Sequence, residues 1–365
     1  MTGHPGDSSQ PARPPSPGEL LIRTYQSGDE AGLVSLFARV FGRSVSEAHW
    51  RWKVKRAPGS VDNVFVAVGP DGPVCQYAGM PTRWRVGGAD VSAMVSVDAM
   101  TAPEYQRRGL LTAVVSNAHG AWRAAEVAFT LGLPNERWGS RTAAVGWRPL
   151  FPLRWLVRPL RPEAILARRL RIPALARMTW VGAAWNALWD LVARPDSTVT
   201  TRFIDRAGPE VDRLWTHLSS DHQLSAVRDS SWVNWRFFDA PSATYRVLLA
   251  ERGPMAVGYA AFRVVDDESG KTGLIADLFS GRGDAAVRGT LIAGVLAALH
   301  GDGARAAFVL SVPGSPLDRS LLRAGFFPSG PGFAIHVIPL AMQLPAEAFR
   351  NPGAWNIGGA DFDVV

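Results

Sequence analysis

The stretch SVDAMTAPEYQRRGLLT, Ser96–Thr112, decides how the chain is read. Ser96 to Met100 completes an apolar strand, and Pro103 ends its ladder because proline has no N–H to donate. Gly109 then opens a helix that runs to about Glu126. The first N–H groups of such a helix have no partner within it and face outward at the positive end of its dipole. Gly109 lets a ligand approach the main chain, and Arg107 and Arg108 add charge, so the turn suits a pyrophosphate.

Working outward, Ala31 to Phe41 carries apolar residues at helical spacing, namely Leu33, Leu36, Phe37 and Val40. Asn63–Val68 and Val74–Gly79 read as strands around the turn at Gly69–Gly72. Thr82–Val86 and Val91–Met100 read as a second pair joined by Gly87-Gly88. After the helix come a strand at Val127–Leu131 and a short helix ending at Gly146. Strands first, then strand–helix–strand–helix, imply an α/β (α+β) fold on a mixed sheet.

The order recurs. Trp52-Lys53 matches Trp235-Arg236 and Pro58 matches Pro241, 183 residues apart. Gly79 matches Gly258, Asp98 matches Asp277, Pro134 matches Pro313 and Gly146-Trp147 matches Gly325-Phe326, all at 179. Gly109 matches Gly289 at 180. An ordered run at stable spacing implies two copies of one domain. The division is a tail at 1–18, a first copy at 19–155, a basic helical connector at 156–198, a second copy at 199–345 and a C-terminal tail at 346–365. The second copy has Ala286-Val287-Arg288-Gly289 where the first has Gln106-Arg107-Arg108-Gly109, so it reads as degenerate.

Among 365 residues, 47% are hydrophobic and 19% charged, which fits folded domains with substantial cores. Three lysines (Lys53, Lys55, Lys271) stand against 36 arginines, a bias of base composition in a bacterial genome; nucleic-acid binding is not expected. Residues 150–195 hold eight arginines against Glu163 and Asp190, which is either a surface steering anionic partners or a solvated connector face. Its apolar run is interrupted by Asn186 and Asp190, so no transmembrane segment is expected, and peripheral membrane contact is a weaker reading. The single Cys75 excludes an internal disulfide and fits a reducing cytoplasm; it reads as packing rather than nucleophile. Trp50 and Trp52, echoed by Trp232 and Trp235, read as repeated core or interface aromatics. The scattered histidines give no metal spacing, so no metal is expected.

The turn resembles the acyl-CoA signature of the GNAT superfamily, Gln/Arg-x-x-Gly-x-Gly/Ala after the fourth strand. Gln106 and Gly109 match, and Leu111 departs from the last position. The form Arg-Arg-Gly-Leu-Leu is similar to a branch that includes multi-acetylating aminoglycoside acetyltransferases. Asn135, eleven residues before Gly146-Trp147, matches the family's second motif. The resemblance implies acetyl-CoA or a longer acyl-CoA as co-substrate. It places Ala99, Met100 and Thr101 at the thioester, Gln106, Arg107, Arg108, Gly109, Leu110, Leu111 and Thr112 at the pyrophosphate, and Asn135 near the cofactor. The family's tyrosine acid falls at Thr142, whose hydroxyl is too weakly acidic to replace it; water, Ser140 or a second-domain residue are substitutes. For a base, Asp98 is a candidate, though its match to Asp277 also fits a shared structural role. The C-terminal Asp361, Asp363 or Val365 carboxylate is another, against the reading of a solvated tail. The expected activity is acyl transfer from CoA to a primary amine such as an amino sugar, an aminoglycoside or a natural-product amine. A non-catalytic acyl-CoA-binding or partner-binding module is the alternative. Apolar side chains of the connector (Trp180, Trp185, Leu188, Trp189) are candidates to wall a long acyl chain.

Overall fold

The computed structural model describes residues 20–58, 62–134, 143, 145–192, 195–268, 270–341 and 346–363, without the side chains of 190–192 and 346. The expected tail at 1–18, the helix before Gly146, and Asn135, Ser140, Thr142 and Val365 lie outside them. The first half runs β1 (Leu21–Thr24), α1 (Glu30–Phe41), α2 (Glu47–Lys55), β2 (Val64–Gly69), β3 (Gly72–Val86), β4 (Ala89–Thr101), α3 (Leu110–Ala124), β5 (Phe129–Gly132) and β6 (Arg148–Pro159). The connector holds α4 (Pro162–Leu170) and α5 (Thr179–Val192). Then follow β7 (Thr200–Ile204), α6 (Pro209–Leu218), β8 (Leu224–Ala226), α7 (Ser230–Val233), β9 (Arg246–Arg252), β10 (Met255–Asp267), β11 (Gly270–Ser280), α8 (Ala285–Gly301), β12 (Ala306–Ser311), α9 (Pro316–Arg323), β13 (Phe327–Pro328), β14 (Phe333–Pro339), α10 (Ala346–Arg350) and β15 (Trp355–Asn356).

These strands form one mixed sheet in the order β1-β2-β3-β4-β5-β14-β6-β12-β11-β10-β9-β7, with β8 on β3, β15 on β8 and β13 on β6. Each half has a parallel pair bridged by a helix: β4 with β5 around α3, and β11 with β12 around α8. The next strand of each half crosses over. β6 leaves β5 and pairs β12, while β14 comes back to pair β5, as in Val337 opposite Leu131. The sequence-based division at 155 falls inside β6, and the two halves close each other's sheets.

The segments read as strands at Val74–Gly79 and Thr82–Val86 are one continuous strand, β3, with Pro81 in its middle. That proline is accommodated because β2 leaves β3 at Ala78 and β8 joins it only at Trp84, so a missing N–H falls in the gap between neighbours. The Gly87-Gly88 hairpin has positive φ at both residues, 57° and 92°, the geometry that matches strand twist in a tight turn.

Trp52 and Trp235, matched at 183 residues in the sequence, stack at 5.4 Å. Each indole N–H donates to the other residue's carbonyl, at 2.7 and 3.0 Å. Aromatic stacking and two satisfied buried donors fix the halves face to face at this point. One core is continuous across both halves through this pair, and a second surrounds α8.

Candidate active site

β4 and β5 pair only over Ala93–Val95 opposite Phe129–Leu131, and beyond that point they part. On the other side of β4 the register with β3 shifts between Gln76 and Ala78, which bulges Asp98 out of the ladder. Asp98 has φ of 46°, a left-handed conformation that aspartate tolerates better than most residues. Its carbonyl accepts from the buried Gln76 side chain at 3.1 Å, and Gln76 in turn accepts from Trp50 Nε1 at 3.1 Å. Bulge and parting strands leave a cleft of about 170 Å³ lined by Ser96–Ala99, Gly132, Pro134 and Trp147. A Cβ on Gly132 would stand 2.7 Å from the Trp147 ring, so glycine there lets the indole seat itself as a wall.

The turn after β4 forms an open cradle of main-chain donors. Gln106 donates to the Thr101 carbonyl at 3.0 Å, which ties the turn to the strand end. Arg107 and Gly109 both have left-handed backbone, φ 60° and 79°. A Cβ at Gly109 would meet nothing within 4 Å, so the position needs glycine for its backbone and its openness rather than for packing. The first bond of α3 runs from Ala113 N–H to the Gly109 carbonyl, so the N–H groups of Leu110, Leu111 and Thr112 have no partner within the helix. Arg107 and Arg108 are exposed beside them. Leu110 is buried, Leu111 half-buried and Thr112 exposed, so these three offer a ligand their N–H groups more than their side chains. Of the three residues expected at the thioester, Ala99 lines the cleft, whereas Met100 points into the core and Thr101 lies buried with its hydroxyl 3.3 Å from Cys75 Sγ. Burial pushes the Cys75 thiol up to about 12, which fits a packing residue.

A residue that the sequence reading does not single out joins two of the candidate carboxylates. Lys53, on α2, is buried, with Nζ 2.7 Å from Asp98 Oδ2 and 2.8 Å from Asp363 Oδ2. Burial pulls the lysine down, and the two carboxylates more than reverse it, so its ammonium is held above the usual range. Burial pushes the Asp98 carboxyl up against the attraction of Lys53, and Asp363 adds to the rise. A second cavity of about 390 Å³ adjoins the cleft, sharing Phe37 and Arg43 with it, and is lined by residues of both halves. The connector aromatics do not line either space: Trp185 and Trp189 pack on Phe327, and Trp180 is exposed.

The second half has the same parting of strands, but its own C-terminus occupies the position. β11 and β12 pair only over Gly273–Ile275, a bulge precedes Asp277, and the turn Gly359–Asp361 packs against both strands. Asp361 is buried there on Arg228 at 2.8 Å, with Asp277 on the same guanidinium at 2.9 Å. Asp361 is thus placed in this cluster and not at Asp98; Asp363 is the tail carboxylate that reaches Asp98, through Lys53. The end of the chain is no solvated tail: Trp355, Ile357, Ala360 and Phe362 are buried. Among the described residues no group of three or more His, Cys, Asp or Glu is placed to hold a metal, and no helix is long and apolar enough to cross a membrane.

Residues 21–149 match the family model for the acetyltransferase (GNAT) domain. No curated protein matches the chain. Solved structures share its fold over most of their length. A GCN5-related N-acetyltransferase from Anabaena variabilis has a TM-score of 0.63 at 12% identity, over 87% of this chain and 72% of that one. Eis1 from Mycobacterium abscessus has 0.56 at 14%, over 88% and 73%. The Saccharomyces cerevisiae N-myristoyltransferase, solved with bound myristoyl-CoA, has 0.56 at 11%, over 89% and 86%. Cleft, bulge and open cradle all fall within the matched residues, and over residues 21–149 the chain carries an acetyltransferase (GNAT) domain, the domain of an acyltransferase enzyme.

Proposed function

We propose that the chain transfers an acyl group from CoA to a primary amine at the first-half cleft, and that its halves are two copies of one GNAT-like unit of which the first alone retains the cofactor site. One observation carries this: the strands part beside Asp98 where the open turn Gln106–Thr112 begins α3. Acyl-CoA would lie with its pyrophosphate on the N–H groups of Leu110–Thr112 and the charges of Arg107 and Arg108, and its thioester between the parted strands. The fit is good because the cradle is open and the cleft has one closed wall at Trp147. The amine nitrogen attacks the thioester carbonyl, the C–N bond forms, and the C–S bond breaks. One proton leaves the amine toward the Asp98–Lys53–Asp363 cluster and one is taken up by the departing thiolate. The Trp52–Trp235 pair, and a bulge at Asp98 in one half and next to Asp277 in the other, support the duplication.

The test is Arg108→Ala with acetyl-CoA and longer acyl-CoAs against a panel of amines, with products identified by mass spectrometry. Loss of one charge-assisted contact should raise the KM for acyl-CoA about tenfold or more. Thioester binding without turnover on any amine would instead support a non-catalytic acyl-CoA-binding module.

A further inference from the structure

The larger cavity beside the cleft is rich in cations. Arg43 and Lys53 of the first half and Arg236 and Arg263 of the second face it, against the single carboxylate of Asp363. Lys53 is neutralised by Asp98 and Asp363, and Arg236 donates to the carbonyls of Ala360 and Phe362. Arg43 and Arg263 have no carboxylate within 4.0 Å among the described residues. Each instead lies near an aromatic ring, Arg43 5.2 Å from the Phe37 centroid and Arg263 5.5 Å from that of Tyr245. Arg263 Nε is buried without a hydrogen-bond partner among the described residues. A guanidinium steadied by a ring face keeps a fixed fork of N–H donors for a carboxylate or phosphate.

We infer that this cavity receives the acceptor, and that the acceptor carries an anionic group, carboxylate or phosphate, besides its amine. The inference rests on the acyltransferase reading. Asp98 in the cleft, with Asp363 beside it on Lys53, draws the ammonium end, while Arg263 in the cavity and Arg43 at the shared edge take the anionic end. A polycationic aminoglycoside would meet guanidiniums where it needs carboxylates.

The test compares matched amines on the full chain: glucosamine 6-phosphate with glucosamine, and an α-amino acid with its amide, beside kanamycin. The two anionic members separate phosphate from carboxylate. Expected is a kcat/KM at least tenfold higher for an anionic member than for its neutral partner, with KM for that amine rising about tenfold or more in Arg43→Gln or Arg263→Gln, and KM for acetyl-CoA unchanged in Arg263→Gln, which lies outside the cleft. Kanamycin or a neutral amine used best, or an acceptor KM unmoved in both variants, overturns the inference. Absence of thioester consumption with every amine refutes the acyltransferase reading instead. The cavity is then judged by calorimetry with CoA saturating the cofactor site: binding of an anionic member that both variants weaken supports it, and no binding overturns it.

A separate observation concerns the connector. Leu166, Leu170, Ile172, Met178, Trp180 and Leu188 are exposed large apolar side chains within α4, α5 and the turn between them. Arg168, Arg169, Arg171 and Arg177 are interspersed. Apolar side chains among arginines match the interface of an anionic bilayer, and we propose that α4–α5 docks the protein on one. Vesicles of phosphatidylserine and phosphatidylcholine should co-sediment the protein, vesicles of phosphatidylcholine alone should not, and Trp180→Ser with Leu188→Ser should lower the bound fraction at least tenfold. No binding to anionic vesicles, or a concentration-dependent dimer that the same substitutions dissolve, overturns it.

Discussion

Replacing Lys53 by methionine isolates the charge that holds the acid–base cluster together. The lysine side chain is 3% exposed and that of Asp98 7%, so water screens neither. Methionine preserves the stem and removes the cation, leaving the Asp98 carboxylate buried beside Asp363. Removing one partner of a buried pair costs about 3–5 kcal/mol. At roughly 2–4 °C per kcal/mol for chains of 150–250 residues, and less for a longer one, this amounts to a drop in Tm of about 5–10 °C. The sign with pH follows from Asp98. Its folded carboxyl already sits above the unfolded value because of burial, and Lys53 opposes that rise. Without the lysine it rises further, so the penalty is present at pH 8 and is relieved as pH falls through the raised value and Asp98 takes up a proton. Thermal unfolding of Lys53→Met at pH 8 and pH 5, followed by tryptophan fluorescence, should show the larger loss at pH 8. The double variant Lys53→Met with Asp98→Asn should recover most of it, since asparagine also tolerates the left-handed backbone at 98. Equal losses at both pH values, a loss under about 1 kcal/mol at pH 8, or no recovery in the double variant would refute the reasoning.

Gly132→Ala puts a methyl 2.7 Å from the Trp147 ring; overpacking of this kind costs about 1–3 kcal/mol. Because the indole walls the cleft, kcat/KM for acyl-CoA should fall together with Tm. Arg228→Leu leaves Asp277 and Asp361 buried without their cation, a loss of about 3–5 kcal/mol by urea unfolding; limited proteolysis should then cut the loosened C-terminal segment first. Cys75, with its thiol pushed up to about 12 and no exposure, should not react with a thiol reagent at pH 8 until the chain is unfolded.

The reading from Ser96–Thr112 carried because its signals are local: a proline that ends a strand, a glycine with positive φ and a helix that starts beyond it. Repeat spacing likewise located Trp52 and Trp235 before their stacking was visible. What stayed hidden depends on pairing at long range. Nothing in Arg148–Pro159 distinguishes a strand that returns to β5 from one that crosses to β12, since both demand the same alternating apolar face. Lys53 was visible only as a repeat match, although a lone lysine between Trp52 and Val54, both buried, is a signal of a buried cation. The sequence leaves the tail open between a site carboxylate and a solvated loop because its glycines and aspartates look like a loop, while Trp355, Ile357 and Phe362 carry its packing.

Lys53 and Arg236, matched at 183 residues in the sequence, act on the same segment. Arg236 holds the carbonyls of Ala360 and Phe362, and Lys53 holds the Asp363 carboxylate. The C-terminal segment therefore closes the second half's cleft and, two residues on, contributes a charge to the first half's cleft. Two variants separate these roles. Ending the chain at Asn356 removes Ile357 and Phe362 from the core, about 3–6 kcal/mol at 1.5–3 kcal/mol for each buried side chain, before the Arg228–Asp361 pair is counted. That protein should unfold at lower urea and bind a hydrophobic dye at the vacated cleft. Asp363→Asn keeps the packing, and its side chain is partly exposed, so its stability should change by less than about 1 kcal/mol. What should move is the pH profile of kcat/KM. Asp363 raises the Asp98 carboxyl by repulsion, so its removal lowers that carboxyl and carries the acid limb to lower pH. An acid limb that stays put or moves upward in Asp363→Asn, with the truncated chain as stable as the whole, would separate the tail from both clefts.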